Sequence, residues 1–363
     1  MEPALAALVD QVKAARVAKT PLDIHGGRSK AFYGGVPTGT PLDVRGLCGI
    51  SSYEPSELVV TARAGTPLAE LEATLAEKGQ CLPFEPPRFG AEGTVGGMVA
   101  AGLAGPARVS VGGVRDYVLG ATLLNGKAEC LGFGGQVMKN VAGYDVSRAL
   151  AGSLGVLGVI CEVSLKVLPK PPAALTLRVE LDQGSAIRRV NEWGGQPLPL
   201  SASAWWDGML VLRLAGATAA VRAAFDKIGG ELIAAETADA FWTGLRDHAD
   251  EFFIGAAKAA EAGAGLWRLS VPATTPPLKL SGEQLVEWGG AQRWICTTAP
   301  AHLLRDVAAA AGGHAVLFRG KDKSAGAFAP MKPALERIQR ELMRAFDPDR
   351  IFNRGRLLPE TAA

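Results

Sequence analysis

The chain has 363 residues, with 38 Lys and Arg against 36 Asp and Glu and a formal charge of +2. That length corresponds to about two to three domains and can bury a core without disulfide or metal support; the balanced charge excludes a nucleic-acid coat or a polybasic membrane binder. Apolar residues make up 48%, which excludes wholesale disorder, while 45 glycines and 23 prolines, together about 19% of the chain, exceed the average of about 12%.

Leu5, Leu8, Val9 and Val12 fall at i, i+3, i+4 and i+7, which predicts an amphipathic helix and not a leader peptide. A short strand over 21–24 runs into His25-Gly26-Gly27-Arg28-Ser29-Lys30. A second strand over 58–63 precedes a helix over 67–78, with Thr66 as N-cap, Pro67 in the first turn and Gly79 as its stop. Residues 83–114 are rich in proline and glycine. Strands over 118–124 and 127–133, joined by Asn125-Gly126, predict a hairpin with a type I′ turn. Residues 157–168 alternate as a strand, with Val159, Cys161, Val163, Leu165 and Val167 on one face. Pro169, Pro171 and Pro172 then mark a domain boundary.

Beyond it, 205–214, 266–271, 293–297 and 314–318 read as strands, and 219–228 and 333–346 as helices. The last helix turns Leu335, Ile338, Leu342 and Phe346 inward. Together they describe an antiparallel sheet covered by helices, with no internal repeat visible in the residues. The five cysteines include no CxxC pair, which points to a reducing compartment and excludes a cysteine-ligated iron–sulfur cluster built by this chain alone. The four histidines lack metal-ligand spacing, so no metal site is expected. No apolar run is long enough to span a membrane.

Three glycine-rich stretches carry the chemistry. The paired glycines of 26–27 let successive amide N–H groups face one concavity, a nest for phosphate oxygens, with Arg28 and Lys30 adding charge; a plain tight turn satisfies the same residues. No GxGxxG or P-loop pattern is present. In the second stretch, 93–106, Thr94 caps a short helix whose first-turn amides would face an anion, and the absent side chains would let a flat ligand lie on the backbone; close helix packing through small residues is the other reading. The third runs from Gly134 through Lys139 and Asp145 to Gly155 and Gly158. Three such loops beside strands point to one extended ligand of dinucleotide size.

These residues resemble the FAD-binding domain of the vanillyl-alcohol oxidase, or p-cresol methylhydroxylase (PCMH), superfamily. The loop at 26–30, Thr94-Val95-Gly96-Gly97-Met98, Lys139-Asn140-Val141-Ala142-Gly143-Tyr144-Asp145, the 152–160 stretch and the closing Phe346-Asp347-Pro348-Asp349-Arg350-Ile351-Phe352-Asn353 occur in that family's order. The resemblance implies an α+β fold. A two-part PCMH-type FAD-binding domain would cover 1–170 and an antiparallel-sheet, ferredoxin-like cap 171–330. A C-terminal helix and closing segment over 331–363 would return to the flavin domain. It implies FAD pyrophosphate on Gly26, Gly27, Arg28, Ser29 and Lys30 and on Thr94, Gly96 and Gly97. It puts the adenosine end near Gly158 and Val159, and Asn353 near the flavin ring. It also counts Met98, Lys139, Gly143, Tyr144, Asp145 and Gly155 among the cofactor-binding residues. Arg28 stands where the family often carries an attaching histidine, so noncovalent FAD is expected.

Within the superfamily, Lys30-Ala31-Phe32, Glu85-Pro86-Pro87 and the 283–291 segment are similar to the family of small FAD-binding subunits of bacterial glycolate oxidases. That likeness implies a complex with a larger FAD-binding catalytic subunit and an iron–sulfur subunit, acting on a 2-hydroxy acid and oxidising glycolate to glyoxylate. The chain would be cytoplasmic, with any attachment to the membrane's inner face made through partners. A stand-alone FAD-dependent 2-hydroxy-acid dehydrogenase and a scaffold that has lost FAD are the competing readings. For the chemistry, His314 is a candidate base beside a strand, and Arg319, Arg354 and Arg356 are candidate carboxylate clamps; a packed or hydrogen-bonded structural histidine and exposed ion-pair partners are the plainer readings and take precedence.

Overall fold

The computed structural model describes residues 2–135 and 145–360. The first helix, α1 (Pro3–Ala18), buries Leu8, Val9, Val12 and Ala15. They pack with Leu42, Leu124, Val159 and Phe352, so the i, i+3, i+4, i+7 stripe is the core face. A five-stranded antiparallel sheet follows, built from β1 (Ile50–Glu54), β2 (Val59–Arg63), β3 (Val118–Leu124), β4 (Cys130–Gly134) and β5 (Val159–Lys166) in the order β1-β2-β5-β3-β4. Because β5 lies between two neighbours and under helices, Ile160 and Ser164 on its second face are buried as well as Val163 and Leu165.

Helix α2 (Leu68–Glu77) buries Leu68, Leu71 and Leu75 on this sheet's core, each contributing about 1.5–3 kcal/mol. Its N-cap is Pro67, not Thr66. The Thr66 hydroxyl instead accepts from Gly49 N–H and donates to Gly49 C=O, both at 3.0 Å. Helix α3 (Val95–Ala101) starts as read, with Thr94 Oγ1 accepting from Gly97 N–H at 3.2 Å. The β3–β4 hairpin is present, but Asn125-Gly126 does not form a two-residue turn. Leu124 pairs with Cys130, and the left-handed residue is Ala128 (φ 64°). Asn125 Oδ1 accepts from Lys127 and Glu129 N–H, so the side chain organises a longer loop.

From Ala173 the chain builds a second, eight-stranded antiparallel sheet. Its strands are β6 (Ala173–Glu180), β7 (Leu200–Trp206), β8 (Met209–Gly216), β9 (Glu231–Ile233), β10 (Gly265–Ser270), β11 (Glu283–Glu287), β12 (Gln292–Thr297) and β13 (His314–Arg319). The spatial order is β9-β6-β8-β7-β11-β12-β10-β13. The first four, with α4 (Gln183–Gly194) after β6 and α5 (Thr218–Ile228) after β8, follow the 4-1-3-2 order of a ferredoxin-like unit. Two more helices, α6 (Ala235–Asp247) and α7 (Glu251–Glu261), precede β10, and α8 (Ala301–Ala310) precedes β13. The last four strands repeat the 4-1-3-2 order and join the first unit through β7–β11. The repeat lies in topology and not in residues, which is why the sequence hides it. The segment 205–214 is not one strand. Asp207 (φ 45°) and Gly208 (φ 79°) turn between Trp206 and Met209, and the type I′ chemistry sits there.

Helix α9 (Pro333–Phe346) returns to the first sheet, but only its last turns touch it. Leu342, Met343 and Phe346 pack on that core, whereas Leu335 and Ile338 are 57% and 59% exposed, against the inward placement their spacing predicts. The closing segment then runs beside the strand Leu22–His25, with Leu22 N–H bonded to Ile351 C=O at 2.6 Å and Asn353 N–H to Leu22 C=O at 2.9 Å.

The two sheets meet in a shared apolar cluster. Tyr33, Leu103 and Leu154 come from one side and Trp242, Phe252, Phe253, Trp294 and Phe318 from the other. Polar ties cross the same seam: Trp288 Nε1 donates to Gly105 C=O at 3.1 Å, and the Arg213–Glu85 pair closes at 2.7 Å.

Candidate cofactor site

A cavity runs along the first sheet's end. The three glycine-rich stretches converge on it. Gly26, Gly27, Arg28, Ser29 and Lys30, then Thr94, Gly96 and Gly97, then Gly155 and Gly158 all line its wall, with Asn353 and Arg356. Met98 does not; it is buried in the first core at 1% exposure. Val159 packs under α1, and Asp145 pairs with Arg148 at 3.2 Å, so neither reaches the wall. Lys139, Gly143 and Tyr144 lie outside the described residues.

The two glycine pairs meet the cavity differently. Among the described residues, the amide N–H groups of Gly26, Gly27, Arg28, Ser29 and Lys30 donate no hydrogen bond. Arg28 sits at φ 56° in the middle of this run, a left-handed turn of the kind that gathers amides into an anion nest. A Cβ on Gly27 would lie 1.5 Å from the Glu92 carbonyl oxygen, so only glycine lets the loop settle there. At the start of α3, by contrast, Val95 and Gly96 N–H bond to Thr66 and Ala64 C=O at 3.0 and 2.8 Å, and Gly97 N–H bonds to Thr94. That helix start offers no free donor to an anion, contrary to the sequence expectation. Gly96 is small because Ala64 lies 2.6 Å from where its Cβ would be, not because a ligand needs the space.

Charge and staples complete the wall. Arg28 pairs with Asp23 at 2.7 Å. Among the described residues, Lys30 has no carboxylate within ion-pair reach; its ammonium donates to Arg88 C=O at 3.4 Å and lies over the Phe89 ring at 5.6 Å. Burial pulls its pKa down to about 8, with Asp247 and Glu72 opposing that shift. Asn353, at φ 39°, accepts from Ile24 N–H and donates to Leu154 C=O, both at 2.7 Å, so one amide joins three segments. Arg356 Nη1 donates to Ala31 and Gly35 C=O at 2.9 and 2.6 Å.

The other sequence candidates stay apart from this cavity. His314 is exposed at the start of β13. The Arg319 guanidinium stacks 3.9 Å from the Phe32 ring centroid. Arg354 donates to Arg350 C=O and lines a smaller pocket near the end of α9. Sequence reasoning missed Asp23, Ala64 and Ile160 in the wall; Asp23 and Ile160 are buried strand residues and Ala64 lies in the turn after β2, and no local signal marks them.

A free amide nest and a wall charge, on one cavity where separate glycine-rich stretches converge, fit the pyrophosphate of FAD. Residues 5–149 match the family described as FAD binding domain. The fold matches alkyldihydroxyacetonephosphate synthase with a TM-score of 0.67 at 14% identity, covering 95% of this chain and 73% of that one. The fold and the cavity thus define a PCMH-type FAD protein with a ferredoxin-like cap, and FAD is its cofactor. The chain is 48% identical over 354 residues to "Glycolate oxidase subunit GlcE" of Escherichia coli (strain K12), covering 98% of this chain and 97% of that protein. It belongs to that family. "D-lactate dehydrogenase" of Anaerostipes hadrus is 32% identical over 168 residues, and "Glycolate oxidase subunit GlcD" of Bacillus subtilis (strain 168) is 29% identical over 161. These cover 46% and 44% of this chain and 35% and 34% of those proteins.

Proposed function

We propose that this chain is the FAD-binding subunit of a complex that oxidises glycolate to glyoxylate, with electrons passing through its flavin to a larger FAD-binding subunit and an iron–sulfur subunit. The carrying observation is the run of five unpartnered amides in the cavity wall, on a chain that aligns almost end to end with a glycolate oxidase subunit. An intact nest also argues against a scaffold that has lost its cofactor.

Bound FAD supplies the acceptor for the electron pair leaving an alcohol carbon. The chain's own residues hold and shield it. The Gly26–Lys30 amides receive the pyrophosphate, the Lys30 ammonium offsets its charge, and Asn353 keeps the nest's incoming strand in place. The aromatic seam of Phe32, Phe89 and Phe318, with ring centroids 5.4–6.0 Å apart, keeps water from the cap side. FAD is held noncovalently: Arg28 occupies the position of an attaching histidine, and His25 Nδ1 lies 2.9 Å from its neighbour Gly26 C=O. Residues 1–170 and 331–363 form the flavin domain in this reading and 171–330 the cap. No helix among the described residues is long and apolar enough to cross a membrane, so we assign any membrane attachment to the partners.

The test is purification of the chain alone and with co-expressed partners, followed by absorption spectroscopy, acid release of flavin and a dye-reduction assay with glycolate. The chain alone should be yellow and release FAD, with dye reduction appearing when the partners are added. A colourless chain that takes up no FAD overturns the assignment; full dye reduction by the chain alone identifies a stand-alone dehydrogenase instead.

A further inference from the structure

Two sides of α9 are occupied by the fold and one is left open. Leu342, Met343 and Phe346 pack on the first sheet's core, with the Phe346 ring 5.9 Å from that of Phe133. A second side is tied to the closing segment. Arg340 donates to Glu336 Oε1 through Nε at 2.9 Å and Nη2 at 2.6 Å, and to Pro359 C=O at 3.4 Å. On the open side, Leu335 and Ile338 are each more than half exposed, and Ala334 and Ala345, at helical spacing from Ile338, are exposed beside them. Single exposed apolar residues are ordinary. Among the described residues, however, no other helix or strand exposes two large ones. The edge of this stripe is charged. Arg337, Glu341 and Arg344 follow at i, i+4 and i+7, and Lys332 stands just before the helix; all four are exposed. Among the described residues, none of their side chains closes an ion pair or hydrogen bond, although Arg337 and Glu341 are one turn apart. Three free cations thus stand against one free carboxylate.

We propose that this open side of α9 docks a helix of a partner subunit that carries an apolar ridge edged with carboxylates. The proposal rests on the reading of this chain as a subunit and adds to it the place and chemistry of a contact. The alanines at 334 and 345 leave low ground on either side of Ile338, so the ridge of a second helix can settle against Leu335 and Ile338. Acidic side chains along its edge would meet Lys332, Arg337 and Arg344, giving the contact its orientation and its selectivity. The same charges disfavour other occupants. A second copy of this chain would bring one excess of cations against another. A lipid surface would have to accept Glu341 together with the cations, and the stripe offers no aromatic side chain to seat in it.

The test co-expresses the full chain with the larger FAD-binding subunit and the iron–sulfur subunit and measures the complex recovered. Two double variants are compared with the parent: Leu335→Asp with Ile338→Asp, and Arg337→Glu with Arg344→Glu. All four positions are exposed, so flavin content and melting temperature of the chain should match the parent. The apolar pair should weaken the complex about tenfold or more. The arginine pair should weaken it less and flatten its loss as salt rises from about 0.1 M to about 0.5 M. A complex that survives the apolar pair at parental strength, or that is indifferent to salt, overturns this face alone. A parent chain that recovers neither subunit overturns the subunit reading and the face with it. A parent chain that dimerises by itself, or sediments with phosphatidylserine vesicles, and stops doing so in the apolar pair, overturns the choice of a partner helix. Should the apolar pair fail to fold, the arginine pair and the salt dependence of the parent complex decide.

Discussion

Gly26-Gly27 and Gly96-Gly97 are both glycine pairs on the wall of one cavity, and both read as phosphate cradles in the sequence. In the first, five successive amides have no partner within the described chain. In the second, every amide from Val95 to Met98 is already bonded to Thr66, Ala64 or Thr94. The first pair uses glycine so that a turn can present donors; the second uses it so that α3 can press against Ala64. A glycine-rich motif therefore marks a place where backbone comes close to something, and only the bonding of its amides tells whether that something is a ligand or the protein itself.

The largest effect that would break this comparison is expected at Gly27. Gly27→Ala drives a Cβ into the Glu92 carbonyl, and should cost about 3 kcal/mol or more and abolish flavin retention. In Gly97→Ala the nearest atom is Thr94 Oγ1 at 3.1 Å, and the apoprotein should melt within about 1 kcal/mol of the parent. Equal melting of the two variants would contradict the assignment. Next is Asn353→Ala, which leaves the Ile24 N–H and Leu154 C=O without their partner and puts alanine at a left-handed φ. A loss of about 2–3 kcal/mol in denaturant melts, with weaker FAD retention, is expected.

Lys30 sharpens the comparison through pH. Its ammonium is charged below about 8 and neutral above, and a cation favours a bound anion only while charged. The FAD dissociation constant, measured by flavin-fluorescence quenching, should therefore rise roughly tenfold between about pH 7 and pH 9. In Lys30→Met it should be weaker and flat with pH. A pH step that persists in Lys30→Met would remove Lys30 from the role. The smallest effect is expected for Thr94→Ala, which loses the cap on Gly97 N–H and about 1 kcal/mol of stability, with little change in FAD affinity. A large loss of FAD binding there would show that the α3 start does hold the phosphates.

Turns show where sequence reading stops. Asn125-Gly126 has the better type I′ composition, yet Asn125 uses its side chain to bond two later amides and Gly126 N–H reaches Phe346 C=O at 2.9 Å. Asp207-Gly208 makes the tight turn instead, because β7 and β8 are paired right up to it. Helix α9 teaches the same at larger scale. Its apolar spacing is sound, but the first sheet ends under its last turns, leaving Leu335 and Ile338 exposed. Thr66 sits where an N-cap belongs, yet its hydroxyl serves Gly49 across a turn.

The two-part fold and its flavin came through the family resemblance; from the residues alone came the nature of the elements, the glycine loops and their order, and an extended ligand of dinucleotide size. These depend on periodicity, turn chemistry and motif spacing, all of which act between near neighbours along the chain. Tertiary structure alone decided which amides remained free, that Met98 and Val159 face cores, and that Tyr33 and Phe318 meet at one seam. The physical reason is that a donor's freedom and a charge's surroundings depend on strand order and on what another sheet brings against it, and neither is encoded within reach of the residue concerned.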